Sequence, residues 1–310
     1  MKILVAGGAG FIGSHLCHRL INNGQTVICV DNFITGQKEN LTSLLNNPHF
    51  SLIEQDVCAP LDFEVHQIYH LASPASPLHY QKNPVLTIRS NTIGTLNLLE
   101  LAKKNNAKIL FASTSEIYGN PQKHPQDESY FGNVNPVGPR SCYDESKRCA
   151  ESIFSAYHKE CEVNIRIARI FNTYGPNMHL NDGRAVSNFI VSALQNDILS
   201  INGDGEQTRS FMYIDDLIDG LLKLMKAEIT SPVNLGNPKE ITIKQLAADI
   251  LGLTKSKSKI IYKPMPQDDP VRRKPDISKA VKILNWKPTV SLETGLKKTI
   301  EYFRLTLKSG

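Results

Sequence analysis

The sequence contains no apolar run approaching the ~20 residues that cross a bilayer, so a membrane-spanning helix is not expected. It has no block of like charge either, and the formal net charge is only +5 over 310 residues. The one basic knot, Arg272-Arg273-Lys274, is too short for a nucleic-acid surface but suits a small anion. Lys255-Ser256-Lys257-Ser258-Lys259 reads as a solvated loop. The six cysteines (Cys17, Cys29, Cys58, Cys142, Cys149, Cys161) form no C-x-x-C pair. That argues against a metal site or a disulfide framework, and for buried thiols in a reducing, cytoplasmic compartment. No internal repeat and no low-complexity tract is present. What remains is 41% hydrophobic and 21% charged, a globular composition long enough for one large domain or two smaller ones. Met1-Lys2 and the apolar residues behind them could pass for a signal peptide. The apolar part ends within four residues in a glycine turn, and so reads as a strand.

The chain is organised around that turn, Gly7-Gly8-Ala9-Gly10-Phe11-Ile12-Gly13. It follows Ile3-Leu4-Val5-Ala6 and precedes Ser14 to Ile21, where apolar residues recur at helical spacing and stop at Asn22-Asn23-Gly24. Strand, glycine turn and helix are the context of a dinucleotide-binding unit. Glycines allow close backbone approach, and the helix N-terminus offers free N–H groups to a pyrophosphate. A second strand, Thr26 to Val30, ends in Asp31, where a carboxylate can accept from ribose hydroxyls. The same carboxylate would repel a 2′-phosphate, so NAD is expected rather than NADP.

Beyond Asp31, the polar loop Asn32-Phe33-Ile34-Thr35-Gly36 is placed to cover an adenosine, and Asp56-Val57 follows a third strand, Phe50 to Ile53. A fourth strand, Ile68 to Leu71, runs into Ala72-Ser73-Pro74-Ala75-Ser76-Pro77, a loop at the strand edge where open α/β sheets bind ligands. Pro84 to Asn105 reads as a long helix, and Lys108 to Ala112 as a fifth strand. Strands alternating with helices predict a Rossmann-type, doubly wound parallel sheet. Ser113-Thr114-Ser115-Glu116 at the end of the fifth strand is, by itself, an ordinary N-cap and turn. Asn120 to Arg140, rich in Pro and Gly, reads as a loop over the site. Tyr143 and Lys147 then lie four apart on one face of the next helix. A phenol titrating near 10 is a poor base, and a neighbouring ammonium is expected to draw it down. Val163 to Ile170 is a sixth strand, Pro232 to Leu235 returns to the sheet, and Leu292 to Leu307 is a closing helix.

Taken together, Gly7 to Gly13, Asp31, Asp56-Val57, Ser113 to Glu116 and Tyr143-x-x-x-Lys147 resemble the extended short-chain dehydrogenase/reductases that modify nucleotide sugars. Longer stretches resemble their UDP-glucuronate decarboxylase branch. These are His70 to Pro77, Asn91 to Asn97, Ala168 to Pro176, Gln267 to Pro270 and Arg273 to Asp276. The likeness spans nearly the whole chain and meets no departure at a motif position. Animal members of that branch carry an N-terminal membrane anchor, whereas this sequence begins at its first strand. The resemblance implies an NAD-binding Rossmann domain (1–172 plus 208–237) interleaved with a smaller nucleotide-sugar domain (173–207 plus 238–310). It also implies a homodimer through a four-helix bundle of residues 86–104 and 143–160, with no nucleic-acid or membrane partner and no metal.

For the reaction, the resemblance implies that UDP-glucuronate is converted to UDP-xylose through a transient 4-keto sugar, with NAD recycled. Tyr143 takes the C4 hydroxyl proton with Lys147 beside it, Thr114 binds the C4 oxygen, and Ser115 and Glu116 handle protons at C5. Arg273 faces the departing carboxylate. Cofactor contacts fall to Gly7, Gly10, Phe11, Ile12, Gly13, Asp31, Asn32, Thr35, Asp56, Val57, Leu71, Ser73, Ala112, Ser113, Tyr143, Lys147, Thr173, His179 and Arg184. Substrate contacts fall to Pro77, Tyr80, Arg89, Asn97, Asn172, Asn188, Arg209, Tyr213 and Arg273. Two other readings remain: a 4,6-dehydratase or 4-epimerase on the same scaffold, and a catalytically silent dinucleotide-binding regulator. The related dehydratases carry Asp where Ser115 stands, because expelling water needs an acid; losing CO2 does not.

Overall fold

In the computed structural model, residues 1–270 and 272–309 are described. Six strands follow one another as β1 (Lys2–Ala6), β2 (Thr26–Asp31), β3 (Phe50–Glu54), β4 (Gln67–His70), β5 (Lys108–Thr114) and β6 (Ile165–Ile170). With Val233–Leu235 they form one parallel sheet, ordered Val233–Leu235, β6, β5, β4, β1, β2, β3. The strand order reverses between β1 and β4, and the crevice outside the carboxyl ends at such a reversal is where doubly wound sheets bind ligands.

Successive strand residues face opposite sides, and both sides of this sheet are covered, so its strands read as continuous apolar runs rather than alternations. Ile3 and Val5 of β1 pack with Leu16 and Cys17 of α1 (Phe11–Asn22), while Leu4 and Ala6 join Ile68, Ile109 and Phe111 on the other face. There α3 (Pro84–Asn105) and α4 (Ser141–Cys161) lie against the sheet, with the Phe154 ring stacked on Phe111 at 5.0 Å. The short α2 (Pro77–Lys82) precedes α3, and Ser115–Tyr118 form one 3₁₀ turn. The remaining helices are α5 (Ala185–Gln195), α6 (Ile214–Lys226), α7 (Ile243–Thr254), α8 (Ser278–Leu284) and α9 (Leu292–Ser309).

Helix α3 has the bounds the sequence predicts, while β5 extends two residues further, to Thr114. The strand Thr208–Ser210, at the start of the segment 208–237 expected in the Rossmann domain, pairs outside the central sheet. It lies antiparallel to Glu240–Thr242 and parallel to Arg272–Arg273. That parallel register sets Arg273 opposite Arg209. Two guanidiniums distant in sequence thus become neighbours through a two-residue strand.

Candidate active site

A cleft of about 490 Å³ opens at the carboxyl end of the sheet. One wall is the glycine turn. Gly7 has φ +80°, and a Cβ on Gly13 would lie 2.1 Å from the Gly7 carbonyl oxygen, so neither position tolerates a side chain. An added Cβ on Gly10 meets only that same oxygen, at 3.4 Å, leaving its cleft side open. No side chain caps the first turn of α1, so its N–H groups are free for an anion. Phe11, Ile12, Thr35, Leu71 and Ser73 complete this wall. A side pocket shares Gly7, Gly10, Thr35, Leu71 and Ser73 with the cleft and adds Asp31, Asn32 and Val57. These residues fit a dinucleotide: an open anion-binding turn at the switch point, and a carboxylate beyond it.

Asp31 already accepts from the Ala9 and Phe33 N–H groups, each at 2.9 Å, so it also fastens the glycine turn to the loop after β2. Asp56 accepts from the Cys58 N–H at 2.8 Å and from Asn32 at 3.2 Å. It lies in a shallow groove with Arg89, outside the main cleft.

The opposite wall is the end of β5 and the start of α4, with Ala112, Ser113, Thr114, Ser115, Glu116, Tyr143 and Lys147 all on it. Thr114 is an N-cap after all, its hydroxyl oxygen accepting from the Glu116 N–H at 3.1 Å. The cap turns Ser115 and Glu116 into the cleft. Ser113 donates to Glu151 at 2.5 Å, and Glu151 also binds the buried Arg169. Tyr143 is buried and stacks flat on Tyr80, ring centroids 5.0 Å apart.

The expected electrostatics of Tyr143 and Lys147 are reversed. Burial pushes the Tyr143 phenol up, with the Thr114 hydroxyl opposing and the Glu116 charge adding to the rise. Lys147 donates to the Ala112 carbonyl at 2.9 Å, and its Nζ stands 5.7 Å from the Tyr143 ring centroid. Burial draws the ammonium itself down to about 7, against the pull of Glu151. Both groups are desolvated, which favours the neutral form of each.

Across the cleft, Asn172 has a buried Nδ2 with no protein partner among the described residues. Thr173, His179, Arg184 and Asn188 line the same side, and Arg184 is forked onto Asp182. Pro77, at the first turn of α2, also reaches the cleft. Tyr80, Arg89, Asn97 and Tyr213 do not line it. Tyr80 sits behind Tyr143; Asn97 instead donates to the Val57 and Ala59 carbonyls at 2.9 and 3.2 Å. Tyr213 precedes α6 and packs on Tyr174.

The densest charge in the cleft lies where Arg273 was expected to meet a carboxylate. Arg273 is forked onto Glu116 at 2.6 and 2.8 Å, and Arg140 binds the same carboxylate. Arg140 reaches Asp269 at 3.2 Å, and Arg209 reaches its other oxygen at 3.0 Å. Burial raises the Glu116 carboxyl, but Arg273 and Arg140 outweigh that and hold it down at about 2. Asp144, next to Tyr143, is pushed up to about 8 by burial and the Glu116 charge, Arg140 opposing. Burial and the facing Arg273 lower Arg209 to about 10. Sequence reasoning missed Arg140, Asp144 and Asp269. The Gly138-Pro139-Arg140 turn just before Tyr143 was the available signal for the first.

The sequence model of the NAD dependent epimerase/dehydratase family matches residues 3–236. UDP-glucuronic acid decarboxylase 1 of Danio rerio is 56% identical over 307 residues, covering 99% of this chain and 73% of that protein. Among solved structures, UDP-glucose 4-epimerase from Thermotoga maritima, with UDP-glucose, superposes with a TM-score of 0.91 at 33% identity, covering 99% and 100% of the two chains. UDP-glucuronic acid 4-epimerase from Bacillus cereus, in complex with UDP-glucuronic acid and NAD, gives 0.89 at 31%, again covering 99% and 100%. The glycine turn, the polar end of β5 and the Tyr143–Lys147 helix all fall within the matched span, and this chain belongs to the NAD dependent epimerase/dehydratase family.

Proposed function

We propose that the protein decarboxylates UDP-glucuronate to UDP-xylose through a 4-keto sugar. The observation that carries this reading is the Arg273–Glu116 fork beside a neutral, buried Ser115, on the wall that also bears Thr114 and Tyr143. The decarboxylase named above, similar over nearly the whole chain, supports it.

The glycine turn, Asp31 and Lys147 would hold NAD, whose chemistry there would be reversible hydride exchange with the sugar C4. Tyr143 takes the C4 hydroxyl proton, and Thr114 donates to the C4 oxygen as charge develops there. Burial keeps the phenol protonated, and that proton must leave to solvent before Tyr143 can take another; a protonated Lys147 is what would stabilise the phenolate. A C4 ketone lies β to the C6 carboxylate, so CO2 departs with its bonding electrons left on an enolate that the ketone stabilises. C5 then takes a proton from solvent water on the side of Ser115 and Glu116, the Glu116 carboxylate remaining ionised between its two arginines. Arg273 offers the forked, charged partner a carboxylate needs and a hydroxymethyl group lacks. Asn172 and Arg209 hold the diphosphate. The Asn172 Nδ2, without a partner among the described residues, and the buried Arg209 are suited to phosphate oxygens.

The likeness to a UDP-glucuronic acid 4-epimerase supports a second reading, inversion at C4 with the carboxylate kept. One assay separates them. Purified protein given UDP-glucuronate should release CO2 and form a UDP-pentose. UDP-galacturonate without CO2 would establish the epimerase reading, and a 4-keto-6-deoxy sugar from UDP-glucose the dehydratase one.

Three further parts of the reading are proposals. The chain divides into a Rossmann part (1–172 plus 208–237) and a sugar-binding part (173–207 plus 238–310). Two copies pair through α3 and α4; Val85, Ile88 and Leu96, spaced along the outer face of α3, are exposed at 68%, 43% and 38%. The protein works in the cytoplasm, a reading supported by the buried free thiols Cys17, Cys29 and Cys142.

A further inference from the structure

Glu116 is held by one more arginine than a carboxylate needs. Both terminal nitrogens of Arg273 are spent on it, at 2.6 and 2.8 Å, and Arg140 adds a third hydrogen bond. A substrate carboxylate that engages Arg273 must therefore compete with Glu116 for it. Were Arg273 the only partner, the exchange would strand a buried carboxylate without a counter-charge, which is strongly disfavoured. The two arginines also differ in where they are anchored. Arg273 comes from the two-residue strand paired with Thr208–Ser210, whereas Arg140 immediately precedes α4, the helix that carries Tyr143 and Lys147. Arg140 is in turn steadied by Asp269, whose other oxygen binds Arg209.

From this geometry we infer that Arg140 is a positioning residue: it keeps Glu116 paired and aimed while Arg273 is released to the carboxylate of the substrate. The inference rests on the decarboxylase reading. Arg140 bridges Glu116 and Asp269, so Glu116 keeps one guanidinium when Arg273 turns away, and Asp144, protonated up to about pH 8, adds no further anion there. The groups facing Glu116 are thus Arg140, Asp144 and Tyr143 at the start of α4, Tyr80 on α2, and Arg209 and Arg273 from the paired strands. Arg140 contributes directly to the low value of Glu116, so removing it should let that carboxyl rise.

The test is the pH profile of CO2 release by wild type, R140Q and R140K, each first checked for thermal melting and NAD binding. R140Q should lose about 10-fold or more in kcat, with KM changed less. Its acid limb should move up by about 1 pH unit or more. R140K keeps the charge but bridges the two acids poorly; it should retain the wild-type limb with an intermediate kcat. An R140Q profile that superposes on wild type, or an R140K limb displaced as far as that of R140Q, overturns the inference. If R140Q does not fold, R140K decides alone: kcat equal to wild type rejects the role. Wild-type protein that releases no CO2 removes the decarboxylase reading and this inference with it. Wild-type release with an unaltered R140Q removes the inference alone.

Discussion

Single side chains divide the labour by how they are desolvated. Tyr143 carries a buried phenol stacked on Tyr80, so packing holds the ring that bears the hydroxyl proposed to take the C4 proton. Tyr143→Phe should keep melting temperature and NAD binding but lower kcat by about 10²–10⁴; a variant with most of its rate would point to another base. Ser115 is equally buried, next to a carboxylate already held by two arginines. Ser115→Asp adds a second anion there and competes for Arg273, so CO2 release should fall by about 10-fold or more. Turnover that survives the substitution would remove the argument that neutrality at this position selects decarboxylation. Asp144 is pushed from its ordinary range up to about 8, by burial first. The folded protein then keeps a proton that the unfolded chain gives up from about pH 4. Stability should accordingly fall as pH rises through that window. Asp144→Asn removes the ionisation, so its melting temperature should decline less than wild type between pH 5 and 8; parallel declines would show that Asp144 does not titrate there. Glu116, held at about 2, acts in the opposite sense, and its stabilisation is lost only as pH falls below the ordinary carboxylate range.

At the scale of elements, the strand ends do the positioning. The turn between β1 and α1 packs so closely that Gly13 has the Gly7 oxygen and the Gly8 Cα at 2.1 and 2.7 Å from where a Cβ would stand. Backbone cannot step aside as a side chain tip can. Gly13→Ala should cost about 1–3 kcal/mol or more in denaturant unfolding and weaken NAD binding; a fully stable variant with normal affinity would contradict this packing. At β5 the chain ends in a cap rather than a loop, because the Thr114 hydroxyl takes the Glu116 N–H and starts a 3₁₀ turn. One local hydrogen bond thereby directs two cleft side chains. Helix α4 supplies the third piece: its first turn holds Tyr143 and Asp144, its second Lys147, and Arg140 sits at its start.

For the molecule as a whole, the cleft draws on segments from residue 7 to residue 273, closed by the pairing of Arg272–Arg273 with Thr208–Ser210. That strand pair sets Arg209 and Arg273 side by side, and Asp269 and Glu116 neutralise them. Assembly is a separate matter at this scale. If two copies join through α3 and α4, Ile88→Glu with Leu96→Glu buries unpaired carboxylates in the contact and should yield a monomer by light scattering at micromolar concentration. Dimers that persist in the double variant would place the contact elsewhere.

Which parts were legible follows from the range of the forces involved. The dinucleotide turn, α3 and the Tyr143–Lys147 spacing depend on neighbours within a few residues, where periodicity and glycine sterics act, and the sequence alone determined them. The same local logic allowed two readings of Ser113 to Glu116, cap or chemistry, and the structure makes Thr114 a cap that also faces the cleft. Long-range pairing and burial were not legible. No spacing rule joins Glu116 to Arg140 and Arg273, 24 and 157 residues away, and no motif states that Lys147 is drawn down to about 7. Asn97 and Tyr213 illustrate the converse: plausible polar residues that folding commits to backbone carbonyls and ring packing instead. Charge pairing and desolvation act through space, so the tertiary structure decided which carboxylate meets which arginine and which way each proton is held.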